Sequence, residues 1–458
     1  MRKYLYLTVL LTITSCSTYK PVSNFKDVTK YSERTENKED IKAKLTGELS
    51  LESAIEIGLK NNPNFISTKF AITAALARYK QAMSSYYPTI SVSHNISRTN
   101  FNPHYTRNAI SNEYDETART SAINAEILIY DGSVREMNAL AAKHSAKNKK
   151  YLNKNAKRIL TLVITNTYNN ILLAKEHIRI ASADYDFNKK MLSESQIKYK
   201  AGATSLTETL NFETRVNNAN NAVINYKYSF ETSKFILAEL MGLTDGIIPN
   251  DLSFPELQKK NSKILKKIEV YLDIALQNRP DLKANRESFK SSKYSLKSAY
   301  GSFYPKISLN TTVSHTNDKD EYDTYSSRVN STSKSIGVNF SWILFSGFSR
   351  LEKLREAKAL ANQKEYELIE KWLSVVSEVR QAYINYEKNN KQLIIYEKNL
   401  KLSRKIRDLV ELEYKAGNTS LTRLNEVQKD LITADGNYSS AIINLNNADA
   451  QFNAAIGI

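Results

Sequence analysis

The 458-residue sequence holds 65 Lys and Arg against 48 Asp and Glu, a formal charge of +17. Only 12 glycines and 8 prolines occur, too few for a disordered chain or a loop-rich all-β fold. Hydrophobic residues make up 41% and mean hydropathy is -0.47; beyond the N-terminus no run of about 18 apolar residues supplies a transmembrane helix, which leaves membrane β-strands open because their apolar residues alternate.

The N-terminus opens with Arg2 and Lys3, then an apolar stretch from Leu5 to Ile13, the layout of a secretory signal. Ile13-Thr14-Ser15-Cys16 resembles a bacterial lipobox, and Cys16 is the only cysteine, so no disulfide framework exists. Residues 1–15 are therefore expected to be a lipoprotein signal peptide. Cys16 is the expected lipidation site, and 16–47 a polar, lipid-anchored tether. Ser17 after the cysteine is compatible with outer-membrane sorting.

Beyond the tether the chain repeats itself. Pro63 matches Pro280 and Pro88 matches Pro305, both 217 apart (280 − 63); Gly202 and Gly417 are 215 apart (417 − 202). The strongest match sets Tyr199-Lys200-Ala201-Gly202-Ala203-Thr204-Ser205-Leu206-Thr207 against Tyr414-Lys415-Ala416-Gly417-Asn418-Thr419-Ser420-Leu421-Thr422. Collinear matches of this kind define a tandem duplication. The repeats span 48–242 and 266–458, with 243–265 between them.

Each repeat follows one plan. A short helix, Ser50 to Asn61 or Lys266 to Asn278, stops at a proline, which lacks the N–H a helix needs. A second helix runs to about Ser85 or Ser302, and Pro88 or Pro305 then opens an extended region. That region alternates. Ile90, Val92 and Ile96 oppose Ser91, Ser93 and Asn95; Ile123, Ile127 and Ile129 oppose Asn124 and Glu126. Ile307, Leu309 and Val313, then Ile336, Val338, Phe340, Trp342 and Leu344, do the same in the second repeat. Period two with one apolar face predicts strands, forming β-hairpins at about 88–131 and 305–346 with loops near Asn102–Glu116 and Asp318–Thr332. Aromatics at the strand ends (Tyr86, Tyr87, Tyr130, Phe303, Tyr304, Phe345) suit a membrane girdle. Four strands cannot close a barrel, which needs about eight, and open edges in lipid leave backbone groups unmet. A homotrimer supplies twelve (3 × 4).

After Gly132 and Gly347 the period changes to that of a helix. Leu160, Ile164, Tyr168 and Ile171 fall on one stripe; Val376, Val379, Tyr383, Tyr386 and Leu393 fall on another. Proline-free helices over about 133–200 and 348–415 extend roughly 100 Å at 1.5 Å per residue. Gly202 and Gly417 are expected left-handed caps, with Thr204 or Ser205 and Thr419 or Ser420 capping the return helices. The fold class expected is mainly α: long helical hairpins in tandem plus four strands per chain.

The lysine-rich stretch from Lys143 to Arg158 contains no acid, yet no nucleic-acid motif accompanies it and no nucleic-acid partner is expected. No catalytic constellation is present either: the five histidines are scattered, Ser195-Gln196-Ile197-Lys198 lacks its partner motifs, and no phosphate loop or nucleophile elbow occurs. Neither cofactor nor metal is expected.

The lipobox, the duplicated order of helix, strand pair and long hairpin, and the two Tyr-Lys-Ala-Gly-x-Thr-Ser-Leu-Thr turns together resemble the lipoprotein branch of the outer membrane factor (TolC-like) efflux family, over about Leu49 to Ile458. The resemblance implies a trimeric channel in the bacterial outer membrane, a twelve-stranded barrel continued by a periplasmic α-barrel. It also implies docking to a periplasmic adaptor and an inner-membrane pump or secretion ATPase. Gly202, Ala203, Thr204 and Ser205, with Gly417, Asn418, Thr419 and Ser420, would be the docking tips. Glu208, Arg423 and Glu426 would line the periplasmic entrance; Arg423 departs from the acidic pattern of the family there. An arginine–glutamate lock is one reading of these three residues, and ordinary solvent-facing positions on a coiled coil the other. A rival for the whole chain is a non-transport lipoprotein that bridges envelope layers.

Overall fold

The computed structural model describes residues 47–101, 114–249, 251–259, 263–322 and 325–458. Cys16, nearly all of the tether and most of the first expected hairpin loop lie outside the described residues. Two sets of elements follow each other. The first comprises α1 (Leu51–Asn61), α2 (Pro63–Ser84), β1 (Thr89–Phe101), β2 (Tyr114–Tyr130), α3 (Val134–Lys200) and α4 (Leu206–Met241). The second comprises α5 (Ile268–Asn278), α6 (Pro280–Gly301), β3 (Lys306–Tyr322), β4 (Ser326–Ser341), α7 (Ser349–Lys415) and α8 (Leu421–Ile456). Corresponding helices have the same length: 67 residues in α3 and α7, 36 in α4 and α8.

The helix pair before the first two strands starts as its caps dictate. Ser50 accepts the Ser53 N–H at 3.2 Å, and Asn62 accepts the Phe65 N–H at 3.0 Å with Pro63 at the first helical position. Arg279 takes the place of Asn62 in the second repeat and makes no cap. Both side chains reach back to the returning helix, Asn62 to the Leu240 carbonyl at 3.0 Å and Arg279 to that of Ala455 at 3.2 Å. Arg279, only 1% exposed, also grips Asp281 at 2.9 Å and Glu378 at 2.5 Å. Lys371 lies 2.9 Å from Asp281, and Arg158 of α3 donates to the Ala454 carbonyl at 2.7 Å. Burial alone would raise the Asp281 carboxyl, but Arg279 and Lys371 outweigh it and hold it below the ordinary carboxylate range.

Each hairpin packs against the short helices of its own repeat. Ile164, Ile171, Leu237 and Met241 pack with Ala54, and Ile248, Leu252 and Phe254 from the segment between repeats close over them. Val375, Val379 and Phe452 pack with Ala275 and Leu282. The long helix α3 also touches α6 and α8 of the other repeat, so the halves are not separable bodies.

The strands form one antiparallel sheet in the order β1-β2-β3-β4, with β2 and β3 joining the repeats and β1 and β4 left as edges. Register fixes the faces. Ile90 pairs with Ala125, Thr311 and Ile336 along one row, and Val92 with Ile123 and Val313 along the next. The large apolar residues of these rows stand in the open: Ile90 is 68% exposed and Ile336 77%. On the other face Thr312, Ser314 and Thr316 are half-buried while Thr311, Val313 and His315 are exposed, so the sheet curls with its polar face concave. The chain exposes 30205 Å², where a compact protein of its mass leaves about 17,000 Å².

Three sequence expectations need correction. Asp318–Thr332 is mostly strand, since β3 runs to Tyr322 and β4 resumes at Ser326. Polar pairs such as Asn317–Asn330 and His315–Thr332 bond across the ladder there, so polarity marks paired strand rather than loop. In the first hairpin, residues 114–116 likewise belong to β2. At the other end β4 stops at Ser341, and the Trp342 indole N–H donates to the Phe303 carbonyl at 3.1 Å instead of extending the alternation to Leu344.

Between strand and long helix, Gly132-Ser133 and Gly347-Phe348 take consecutive positive φ angles of 68°, 65°, 61° and 65°, strain that a tight reversal explains. An arginine one turn on secures each bend. Arg135 donates to the Leu128 carbonyl at 2.6 Å and lies 4.4 Å over the Tyr86 ring; Arg350 donates to Ile343 and lies 5.5 Å from the Phe303 ring. The first bend is also crowded. A Cβ on Gly301 would come within 2.5 Å of the Gly132 carbonyl oxygen, whereas one on Gly337 meets nothing within 4 Å. Gly301→Ala is accordingly expected to cost about 1–3 kcal/mol of stability through backbone overpacking, read as a lowered melting temperature that Gly337→Ala does not reproduce.

The Asp281 cluster gives a second expectation. A depressed carboxyl contributes stability that is complete above its unfolded value and lost as pH falls below it. Thermal scans at falling pH should therefore show a loss below about pH 4 that is smaller in Asp281→Asn, which is less stable than the parent at neutral pH.

Candidate functional site

The ends of the two long hairpins are built alike. Gly202 and Gly417 adopt φ of 72° and 78°, where only glycine sits without strain. The next amide folds back in each case, Ala203 to the Lys198 carbonyl at 2.8 Å and Asn418 to that of Glu413 at 2.9 Å, closing a Schellman-type turn. Ser205 then accepts the Glu208 N–H at 3.2 Å and Ser420 that of Arg423 at 3.3 Å, so serine rather than threonine caps both return helices. Gly202, Ala203, Ser205, Gly417, Asn418 and Ser420 are exposed; Thr204 and Thr419 are half-buried.

The two tips are tied together just above these turns. Glu208 accepts from the Thr204 hydroxyl at 2.6 Å with one oxygen and from the Tyr414 hydroxyl with the other. Thr204 and Glu208 belong to the first hairpin and Tyr414 to the second, so the carboxylate bridges the repeats. Lys198 lies 5.3 Å from the Tyr414 ring centre. Burial, and then the neighbouring Glu208 carboxylate, push the Tyr414 phenol well above its ordinary range, which keeps it a donor at any physiological pH. Beneath the bond, Met191 and Phe212 of the first hairpin pack with Val410, Leu424 and Val427 of the second.

The entrance residues read from the sequence do not form one group. Glu208 joins Tyr414, while Arg423 and Glu426 pair with each other at 3.2 Å on one turn of α8, both more than half exposed. Tyr414 was not among the sequence-derived site residues. Its only signal is the duplication itself: its counterpart Tyr199 is exposed, whereas Tyr414 is half-buried against the opposite hairpin.

A curled four-stranded sheet with an apolar convex face, continued by paired rods of about 100 Å that meet at bonded tips, is the build of a TolC-like outer membrane factor. The sequence profile described as "Outer membrane efflux protein" matches residues 54–243 and 271–458, and the chain belongs to that family of outer-membrane channels rather than to an enzyme family. Alkaline protease secretion protein AprF of Pseudomonas aeruginosa is 22% identical over 342 residues, covering 74% of this chain and 68% of AprF. The fold matches the outer-membrane channel OprN with a TM-score of 0.77 at 16% identity, covering 95% of this chain and 98% of OprN. It matches the Campylobacter jejuni CmeC outer membrane channel with a TM-score of 0.78 at 19% identity, over 89% and 85% of the two chains.

Removing only the Tyr414 hydroxyl tests the bond between the tips. A hydrogen bond to a partly buried carboxylate is worth about 1–2 kcal/mol. Tyr414→Phe is expected to speed amide hydrogen exchange at 203–208 by roughly ten-fold, with exchange around Ile164 and Ile171 unchanged.

Proposed function

We propose that three copies of this chain form the outer-membrane duct of a tripartite efflux or type I secretion system. The duct conducts substrates passively from a periplasmic adaptor and an inner-membrane pump or secretion ATPase to the exterior. The observation that carries this reading is the sheet: an exposed apolar face and two unpaired edge strands on a chain whose helices stand as water-facing rods. Edge strands in hydrocarbon leave each backbone N–H and C=O unmet at a cost of several kcal/mol, and pairing β4 of one copy with β1 of the next removes them. The large exposed area of the isolated chain agrees with such burial.

The Ala-Gly-x-Thr-Ser turns are the docking tips in this scheme, and Glu208 with Tyr414 is the latch that holds the periplasmic entrance narrow. Arg423 and Glu426 set the charge of the entrance without closing it, because their pair lies within one helix. Cys16 carries the acyl anchor, which adds about 0.8 kcal/mol of membrane affinity per buried CH₂. An anchored duct leans towards small-molecule or metal export; the name of AprF, a protease secretion protein, favours polypeptide cargo for that relative.

Reconstitution into planar bilayers separates the duct from an envelope-bridging lipoprotein, which passes no current. The purified protein is expected to sediment in detergent as a trimer and to give discrete channels; a compact monomer soluble without detergent ends the proposal. Tyr414→Phe and Glu208→Ala should each raise single-channel conductance. Arg423→Ala should leave it nearly unchanged and increase cation selectivity, and a large rise in conductance would instead make Arg423 part of the lock.

A further inference from the structure

The concave face of the sheet carries charge of the opposite sign to the chain as a whole. At the end of the sheet remote from the helices, Phe101, Tyr114 and Tyr322 pair directly across β1, β2 and β3, and Tyr325 follows at the second hairpin. Their rings stack in series, with centres 5.3, 4.9 and 4.4 Å apart. Register places these paired residues on the same face as Asn124 and Thr312, the polar concave face, and not with Ile90 and Ile336. The rings are therefore not a lipid girdle.

The next rows inward on that face hold Glu116 opposite Asp320, then Asp318 opposite Ala118. None of these three acids makes an ion pair among the described residues, and Asp318 Oδ1 is buried without a hydrogen-bond partner. The cations of this part of the sheet stand on the other face: Arg98, Lys319 and Arg328 share one cross-strand row there, with Arg98 paired to Asp115 at 2.8 Å. Along the concave face of the four strands the only basic residue is Lys306, at the far end. Aromatic faces beside uncompensated carboxylates bind cations, and bind best those that also present a ring.

We infer that the outward mouth of the duct is a binding collar for organic cations bearing an aromatic ring. The ring seats against the exposed Phe101 and Tyr325, at the two ends of the stack, where the stack of one copy meets that of the next across the β4–β1 seam, and the charge sits over Glu116, Asp318 and Asp320. This rests on the channel reading above, which makes the concave face the lumen. Every cargo leaving the duct passes the collar, so the collar favours cationic over anionic export.

The test uses the full-length protein reconstituted in planar bilayers, with ethidium added to either side as a blocker. Ethidium is expected to block from one side. Its half-blocking concentration should rise about ten-fold in the Tyr114→Leu/Tyr322→Leu variant and again in Glu116→Gln/Asp318→Asn/Asp320→Asn, while tetraethylammonium and naphthalenesulfonate block the parent weakly. The triple amide variant should also lower the cation-to-anion permeability ratio taken from reversal potentials, a readout that stands even where the aromatic variant fails to assemble. Unchanged block and selectivity in the amide variant, or equal block of the parent by naphthalenesulfonate, overturns the collar and leaves the channel intact. A protein that carries no current under any condition overturns the channel reading itself.

Discussion

The unpaired backbone of β1 and β4 is the constraint from which the rest of the architecture follows. A sheet that exposes Ile90, Val92, Ile336 and Val338 on one face suits a bilayer, yet a bilayer offers no donors or acceptors for the two open edges. Closure through further copies satisfies both demands. In the proposed assembly it also decides what the helices do, because rods attached to a closed ring of strands form a ring themselves. In that assembly the concave polar face becomes an interior, and the tips become the far opening of one continuous passage.

Duplication makes this economical. Both repeats carry the same glycine turn, the same serine cap, the same arginine at the bend and helices of identical length. Where they differ, the difference is functional or structural in a definable way. Arg279 replaces Asn62 and turns a simple cap into a buried ionic cluster that binds α6, α7, α8 and α3. Arg423 stands where the first repeat has Glu208, so the bridging carboxylate exists only once per chain. Tyr414 is held by Glu208 while Tyr199 is exposed.

Much of this was legible in the residues. Proline, glycine and serine are local signals, and they place the helix ends within a residue or two of where they fall; the switch from period two to the helical period locates the bends. What escaped was whatever depends on partners far away in sequence. The Tyr414–Glu208 bond spans 206 positions, and nothing at either residue announces the other. The strands of the second hairpin extend further into its expected loop than the sequence suggests, because its asparagines, serines and charges look like loop until they are seen paired. The aromatic stack was invisible for a similar reason. Alternation puts Phe101 in phase with Ser91 and Ser93, but only the register sets it beside Tyr114 and Tyr322.

The equal helix lengths have a mechanical consequence. Two hairpins, each made of one 67-residue and one 36-residue helix and each leaving the sheet by a tight bend, are levers of equal arm. A pivot of about 5° at the root of a rod of roughly 100 Å displaces its end sideways by roughly 9 Å, while the strands above scarcely move. Small torques at the base are thus geared into wide travel at the bottom, and the Glu208–Tyr414 bond lies where the leverage on that travel is greatest.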